Sequence, residues 1–175
     1  MHLVLSHSPS ESESLKVQLD IKVWSHNTPI LLVRHSVTNL SKMPIEKMKV
    51  YYVMDLDVGG PASYKDDVGT YDPDNGIMYA HDDNPLCVAM TSRPKPDAWE
   101  ISSPTQIGID EESTDLSKNL KYGPKDIATA LQWNLGNLNT GQSSTVDVVL
   151  VASDSIDRAN TLLPSAWELI KKKIR

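Results

Sequence analysis

Apolar and polar residues alternate with a period of two along most of this chain. Leu15, Val17, Leu19, Ile21 and Val23 interleave with Lys16, Gln18, Asp20 and Lys22. In KMKVYYVMDLDVGG, Met48, Val50, Tyr52, Met54, Leu56 and Val58 share one side. Lys47, Lys49, Tyr51, Asp55 and Asp57 take the other, with Val53 as the apolar intruder. Successive side chains of a strand point to opposite faces, so both runs predict half-buried strands, the second over residues 47–58. Ile30 to Asn39 predicts another, rich in β-branched residues. Shorter strands are predicted at 68–71, 77–81, 86–91 and 98–102, and longer ones at 127–135 and 146–152. Asn75-Gly76, between two of them, predicts a type I′ hairpin. Strands with no helices between them predict antiparallel pairing in two packed sheets.

The period changes at the end. Ile156, Ala159, Leu162, Leu163, Ala166, Trp167, Ile170 and Ile174 fall at helical spacing, predicting one C-terminal helix over about 153–174. Ser153, Asp154 or Ser155 would cap it, and Pro164 predicts a kink or restart. The Ser-rich stretch 6–14 predicts a flexible leader over 1–14, leaving one β-sandwich domain at 15–175. Residues 103–124 predict a loop long enough to expect a function for it.

Charge and composition narrow the partners. The chain of 175 residues is long enough for one domain with its own core. With 17 basic and 23 acidic residues its net charge is −6, which argues against nucleic acid or an anionic membrane as partner. No apolar run approaches the ~20 residues of a membrane span. The first residues carry no signal-peptide pattern and Cys87 is the lone cysteine, so the expected location is cytoplasmic.

Catalytic signatures are missing: no Gly-x-Ser-x-Gly, no phosphate-cradling glycine loop, no His-Glu-x-x-His. No cofactor, metal set or catalytic residue is therefore predicted. Asp55 and Asp57, two apart on a strand, share a face, with α-carbons roughly 6.5–7 Å apart. Glycoside hydrolysis needs its two carboxyl groups on opposite sides of the scissile bond, so a polar face or a cap for the Gly59-Gly60 corner is the simpler reading. Asp72-x-Asp74-Asn75-Gly76 lacks the further acidic ligands of a calcium loop and reads as a turn. His81-Asp82-Asp83 reads as a solvated turn before it reads as a metal site. His35, mid-strand, reads as structural. Trp133 and Trp167 fall on apolar faces, whereas Trp99, between prolines and the long loop, is the best candidate for an exposed stacking platform. The ligand-binding candidates are thus Trp99, Asp55, Asp57 and His81.

Three segments in order add a resemblance. They are VRHSVTNLSKMPIEKMKVYYVMDLDVGG, YDPDNGIMYAHDD and GPKDIATALQWNLGNLNTGQSSTVDVVLVASDSIDRAN. Asn39-Leu40-Ser41 leading to the Tyr-rich strand that ends Asp55-x-Asp57, and later Leu138-x-x-Gly141 between alternating strands before a helix, carry it. The chain resembles the N-terminal β-sandwich of prokaryotic glucoamylase- and glucodextranase-type glycoside hydrolases, the galactose-mutarotase-like supersandwich. The resemblance implies an all-β, antiparallel two-sheet sandwich with one C-terminal helix. It also implies that hydrolysis belongs to two glutamates on a following α/α barrel, for which this chain has no counterpart. The function expected is a non-catalytic, carbohydrate-associated domain that binds a glucan or oligosaccharide or supports a separate catalytic subunit. The first strands of a full supersandwich look to be missing, so a homodimer or such a subunit is expected to cover the open edge. One alternative is a small carbohydrate-active enzyme of mutarotase-like fold; another is a structural or interaction protein with no sugar ligand.

Overall fold

The structure, a computed structural model, describes residues 2–10, 13–25, 28–60, 63, 65–82, 85–109 and 114–173, with side chains described within 15–22 and 28–169. The predicted turn at His26-Asn27 lies outside the described residues. Two antiparallel sheets and one helix form three layers. The large sheet runs in the order β1 (His2–Ser10), β2 (Glu13–Ser25), β3 (Thr28–Asn39), β11 (Ser143–Ser153), β7 (Cys87–Arg93), β6 (Ile77–His81), β5 (Val68–Asp72), β9 (Lys121–Tyr122). The small sheet runs β4 (Ile45–Asp55), β10 (Ala128–Leu138), β8 (Ala98–Ser102). The all-β antiparallel sandwich expected from the alternation is what forms.

Register explains the pattern. Val50, Tyr52 and Met54 of β4 stand opposite Trp133, Leu131 and Thr129 of β10. Trp99 and Ile101 of β8 stand opposite Leu131 and Thr129. This inner face packs on Val33, Met78, Met90, Val146, Val148 and Leu150 of the large sheet. On the other side of the large sheet, Ile30, Leu32, Ala89, Val149 and Val151 meet Ala159, Leu163, Ala166 and Trp167 of α1 (Ile156–Lys173). Strand β11 is therefore covered on both faces along Val148–Val151, and its sequence there is continuously apolar. Where α1 no longer reaches, the same outer face turns polar: Arg34 pairs with Asp147 through two 2.7 Å hydrogen bonds, and Thr38 meets Ser143 at 2.8 Å.

Several local expectations are corrected. The leader is not left unpaired, because His2–Ser10 forms β1 on the edge of β2, with Leu3 opposite Leu19 and Leu5 opposite Val17. Backbone pairing with an open edge needs no strongly apolar composition. Strand β4 stops at Asp55, two residues short of Asp57. The turn after β5 is longer than a type I′ hairpin: the Gly76 amide bonds the Asp72 carbonyl at 2.8 Å, and the Asp72 carboxylate accepts the Asp74 and Asn75 amides. Of that turn only Gly76, with φ of 68°, takes a left-handed backbone. Helix α1 runs unbroken through Pro164. Ser155 caps it by accepting the Arg158 amide at 3.2 Å. Apolar residues on both sides of the proline, Leu163 and Ala166-Trp167, seat on one sheet face and outweigh the roughly 3 kcal/mol a mid-helix proline costs.

Candidate functional site

The long loop is a cover rather than an open arm. Leu116 packs on Ala98 and Ala130 of the small sheet's outer face, with Tyr51 and Ile107 against them. Gln132, fully buried there, accepts the Leu116 amide at 3.0 Å and donates to Asp115 at 2.6 Å and Asn134 at 2.7 Å. Asn119 takes the place of a neighbouring strand on the edge of β8. Its side chain receives the Ile101 amide at 2.9 Å and donates to the Ile101 carbonyl at 2.7 Å.

This cover holds Trp99. Its indole N–H donates to the Asn119 carbonyl at 2.9 Å, and its ring stacks on Tyr71 with centroids 4.0 Å apart. Trp99 is half-buried, so one face and its polar edge are already engaged. Trp133 and Trp167 are buried, as their positions on apolar faces predict. Trp133 donates to the Pro94 carbonyl at 2.9 Å, and the Arg93 guanidinium lies 4.2 Å over the Trp167 ring.

Asp55 and Asp57 do come together. Both are exposed, and their carboxylate oxygens lie within 4.8 Å of each other and of Asp126. Asp126 escaped the sequence reading because it is remote in the chain. Its position follows from the register: Asp55 stands opposite Ala128, and continuing the pairing two residues sets Asp57 opposite Asp126 on the same face. Burial first, and then the charges of Asp126 and Asp57, push the Asp55 carboxyl above its ordinary value. Trp99 belongs to the opposite face of this sheet, so it cannot share a site with these aspartates.

His81 ends β6 and lines a separate crevice with Asp82, Leu86, Cys87 and the start of α1. Cys87 is the buried small hydrophobe expected, its thiol pushed up by burial. His35 is buried against the Val146 carbonyl at 3.4 Å and edge-on to Tyr52, its pKa lowered by desolvation. The four sequence-chosen residues thus sit on three separate surfaces.

A cleft of about 480 Å³ between α1 and the β6–β7 hairpin was not foreseen. Asp72, Asn75, Arg93 and Asn160 bring polar groups to it, Tyr79 and Trp167 the aromatic walls. Tyr79 donates to Asn160 at 2.6 Å. The Asn75 side chain, the first of several donors to Asp72, holds that carboxyl below its usual range. Carboxylate, amides and guanidinium on one rim suit neutral hydroxyl-rich ligands. The signal is invisible in sequence because α1 and the hairpin meet only in the fold.

No protein-family model and no curated protein sequence matches the chain. Solved structures do share the fold. A bacterial glucoamylase complexed with acarbose superposes with a TM-score of 0.65 at 13% identity, over 94% of this chain and 25% of that one. A protein described as a kojibiose phosphorylase from the human microbiome gives 0.59 at 10% identity, over 98% and 20%. A protein described as an aldose 1-epimerase from Escherichia coli K12 gives 0.52 at 13% identity, over 87% and 64%. The chain spans a fifth to a quarter of the first two. It carries the sandwich fold that glucoamylase, the phosphorylase and the aldose epimerase share, as the resemblance implied.

Proposed function

We propose that the chain is a non-catalytic, carbohydrate-associated sandwich that binds a glucan or supports a separately encoded catalytic subunit. The observation that carries this reading is the glucoamylase likeness, which runs through 94% of this chain and only 25% of that enzyme. Supporting it, the candidate residues do not converge on one reacting centre: Asp55 and Asp57 lie on the outer face of the small sheet, Trp99 on its inner face, and His81 at the far crevice. The sugar contact is expected at the helix cleft, with Trp99, Asp55, Asp57 and His81 as comparison positions.

Titration calorimetry with maltooligosaccharides and dextrans tests the reading. Heat that Arg93→Ala and Asn160→Ala abolish supports a glucan site in the cleft. No heat with any glucan at millimolar concentration removes glucan binding and favours the structural reading. Light scattering at high concentration tests self-association, and a strict monomer removes the homodimer. The epimerase alternative is checked by optical rotation of α-glucose. Acceleration that His81→Ala abolishes would replace the non-catalytic reading for that substrate.

A further inference from the structure

We infer that two copies of this chain interlock through β1, β2 and β4 into a two-fold dimer with two continuous sheets. Strand β1 ends the large sheet and β4 ends the small one. Both open edges lie on the same side of the sandwich. At that side β4 lies over β3, where the Tyr52 and His35 rings meet edge to face at 5.2 Å; at the far side Trp99 of β8 stacks on Tyr71 of β5. The large sheet therefore runs two strands, β2 and β1, past the β4 edge. Burial shows the open face. Residues 33–39 of β3 alternate between buried and half-buried, whereas residues 15–21 of β2 are all half-buried, apolar and polar alike. In β4 no residue is buried, although Val50, Tyr52 and Met54 face inward.

An overhang of two strands is its own complement. A two-fold axis along the strands, midway between the sheets, exchanges the two layers and turns the overhang of one copy over that of the other. Each β1 edge then meets the β4 edge of the other copy, and each overhang covers the face the other leaves open. Strand β4 runs back over β3 through the loop at 40–44, so the new pairs are antiparallel. The axis also fixes their register. Tyr52 is level with His35, His35 pairs with Leu19, and Leu19 pairs with Leu3. Tyr52 is therefore set opposite Leu3 of the partner subunit, Tyr51 opposite the partner's Val4 and Val53 opposite the partner's His2.

Backbone polarity agrees with that register. Asn39 bonds on the β11 side, its amide to the Gln142 carbonyl at 3.0 Å and its carbonyl to the Gly141 amide at 2.8 Å. Backbone groups alternate between the two edges of a strand, so Thr38 and Ser36 turn to β2, and through the registers Val4 and Ser6 of β1 turn to the open edge. The Gln132 carbonyl accepts the Asp97 amide at 2.8 Å on the β8 side. Leu131 and Trp133 therefore turn to β4, Tyr52 and Val50 turn back to them, and Tyr51 and Val53 offer N–H and C=O to the open edge. Outward-turned residues meet outward-turned residues, as an antiparallel ladder requires. Two overhang faces and four strand edges, each about 24 Å long, bury roughly 1,400 Å², within the range of stable interfaces. This inference stands apart from the glucan reading, because the helix cleft opens on the other face of the large sheet.

Light scattering of the full chain at high concentration should give twice the 19.4 kDa of one chain. Val53→Pro deletes an N–H that only the partner uses, on an edge strand that tolerates proline. It should weaken the dimer at least ~100-fold, since symmetry removes the bond twice, while circular dichroism stays that of the folded sandwich. A cross-link decides the case even where the proline variant fails to fold. Val53→Cys together with His2→Cys should oxidise to a covalent dimer, since antiparallel partners place their α-carbons about 5.5 Å apart. Neither substitution alone should do so, and Cys87 is buried. A strict monomer, a dimer that folded Val53→Pro leaves at full strength, or a double variant that forms no cross-link overturns the inference. A monomer would leave any glucan heat as it is.

Discussion

Asn39 makes the sharpest claim on stability. It is fully buried at the end of β3. Its side-chain amide donates to the Leu138 carbonyl at 2.8 Å and the Met43 carbonyl at 2.9 Å. Its oxygen accepts the Ser41 amide at 2.8 Å and the Ser41 hydroxyl at 2.6 Å. One side chain thereby joins β3, the loop at 40–44 and the end of β10. This is the physical content of the Asn39-Leu40-Ser41 motif.

Asn39→Ala strands the Leu138 carbonyl and the Ser41 amide, while the single Ser41 hydroxyl proton, within reach of both Asn39 and the Met43 carbonyl, turns to Met43. Each buried unsatisfied group costs about 1–3 kcal/mol, so a loss of about 3–4 kcal/mol is expected. Asn39→Asp keeps the shape but sets a carboxylate oxygen against two carbonyls, costing about 4–5 kcal/mol at pH 8. Burial raises that new carboxyl in the folded state, so the folded chain binds the proton more tightly than the unfolded one. The Asp penalty must therefore shrink as pH falls through the raised value, when the acid recovers one donor. Urea unfolding followed by tryptophan fluorescence measures both, with m-values unchanged. A loss below about 1 kcal/mol for the alanine variant, or an Asp penalty equal at pH 5 and 8, refutes the clamp.

Three further outcomes are expected. Gln132→Ala releases the loop cover, so exchange of the Leu116 amide should quicken at least ~10-fold by hydrogen exchange, at a stability cost of about 1–3 kcal/mol. Gly69→Ala would drive a Cβ to 2.3 Å from Ile101 Cγ2 between the sheets, and thermal unfolding should show about 1–3 kcal/mol lost. Asp67→Asn should stabilise the chain above pH 6 and have no effect near pH 4. The rise from 3.8 to about 6 bounds the gain at about 3 kcal/mol, roughly halved by screening in a loop. A gain that persists at pH 4 contradicts that assignment.

The strands and the helix were legible because each rests on a local period. Strand β4 reads in sequence because Val50, Tyr52 and Met54 face the core while Lys49 and Asp55 do not. What sequence hides is whatever depends on pairing between remote strands. The triad needs the β4–β10 register to bring in Asp126, and the Trp99 ring needs Asn119 to reach back along the β8 edge. Polar composition misled at β1, where an open edge supplied the pairing, and in the long loop, where Gln132 and Leu116 anchor a stretch with little periodicity. Pro164 misled because the two apolar turns flanking it bind a single sheet face.

The same geometry says where chemistry can reside. Strand β11 is buried on both faces along Val148–Val151 and the interior between the sheets is filled by Trp133, Leu131, Met78 and Met90, so ligands are confined to rims and clefts. At one rim, three carboxylates converge. Two unit charges about 4 Å apart repel by roughly 1 kcal/mol even in bulk water, and more beside a protein surface, so a fold that assembles three together carries that cost. At the helix cleft the polar groups are mixed in sign, Asp72 with Arg93 and two amides, which favours hydroxyls over ions. Under the proposed glucan reading, Arg93→Ala should change glucan heat and Asp57→Asn, at the rim, should leave it unchanged. A changed glucan heat in Asp57→Asn would show that the rim and the cleft are coupled through the core, against the independence their separate placement implies.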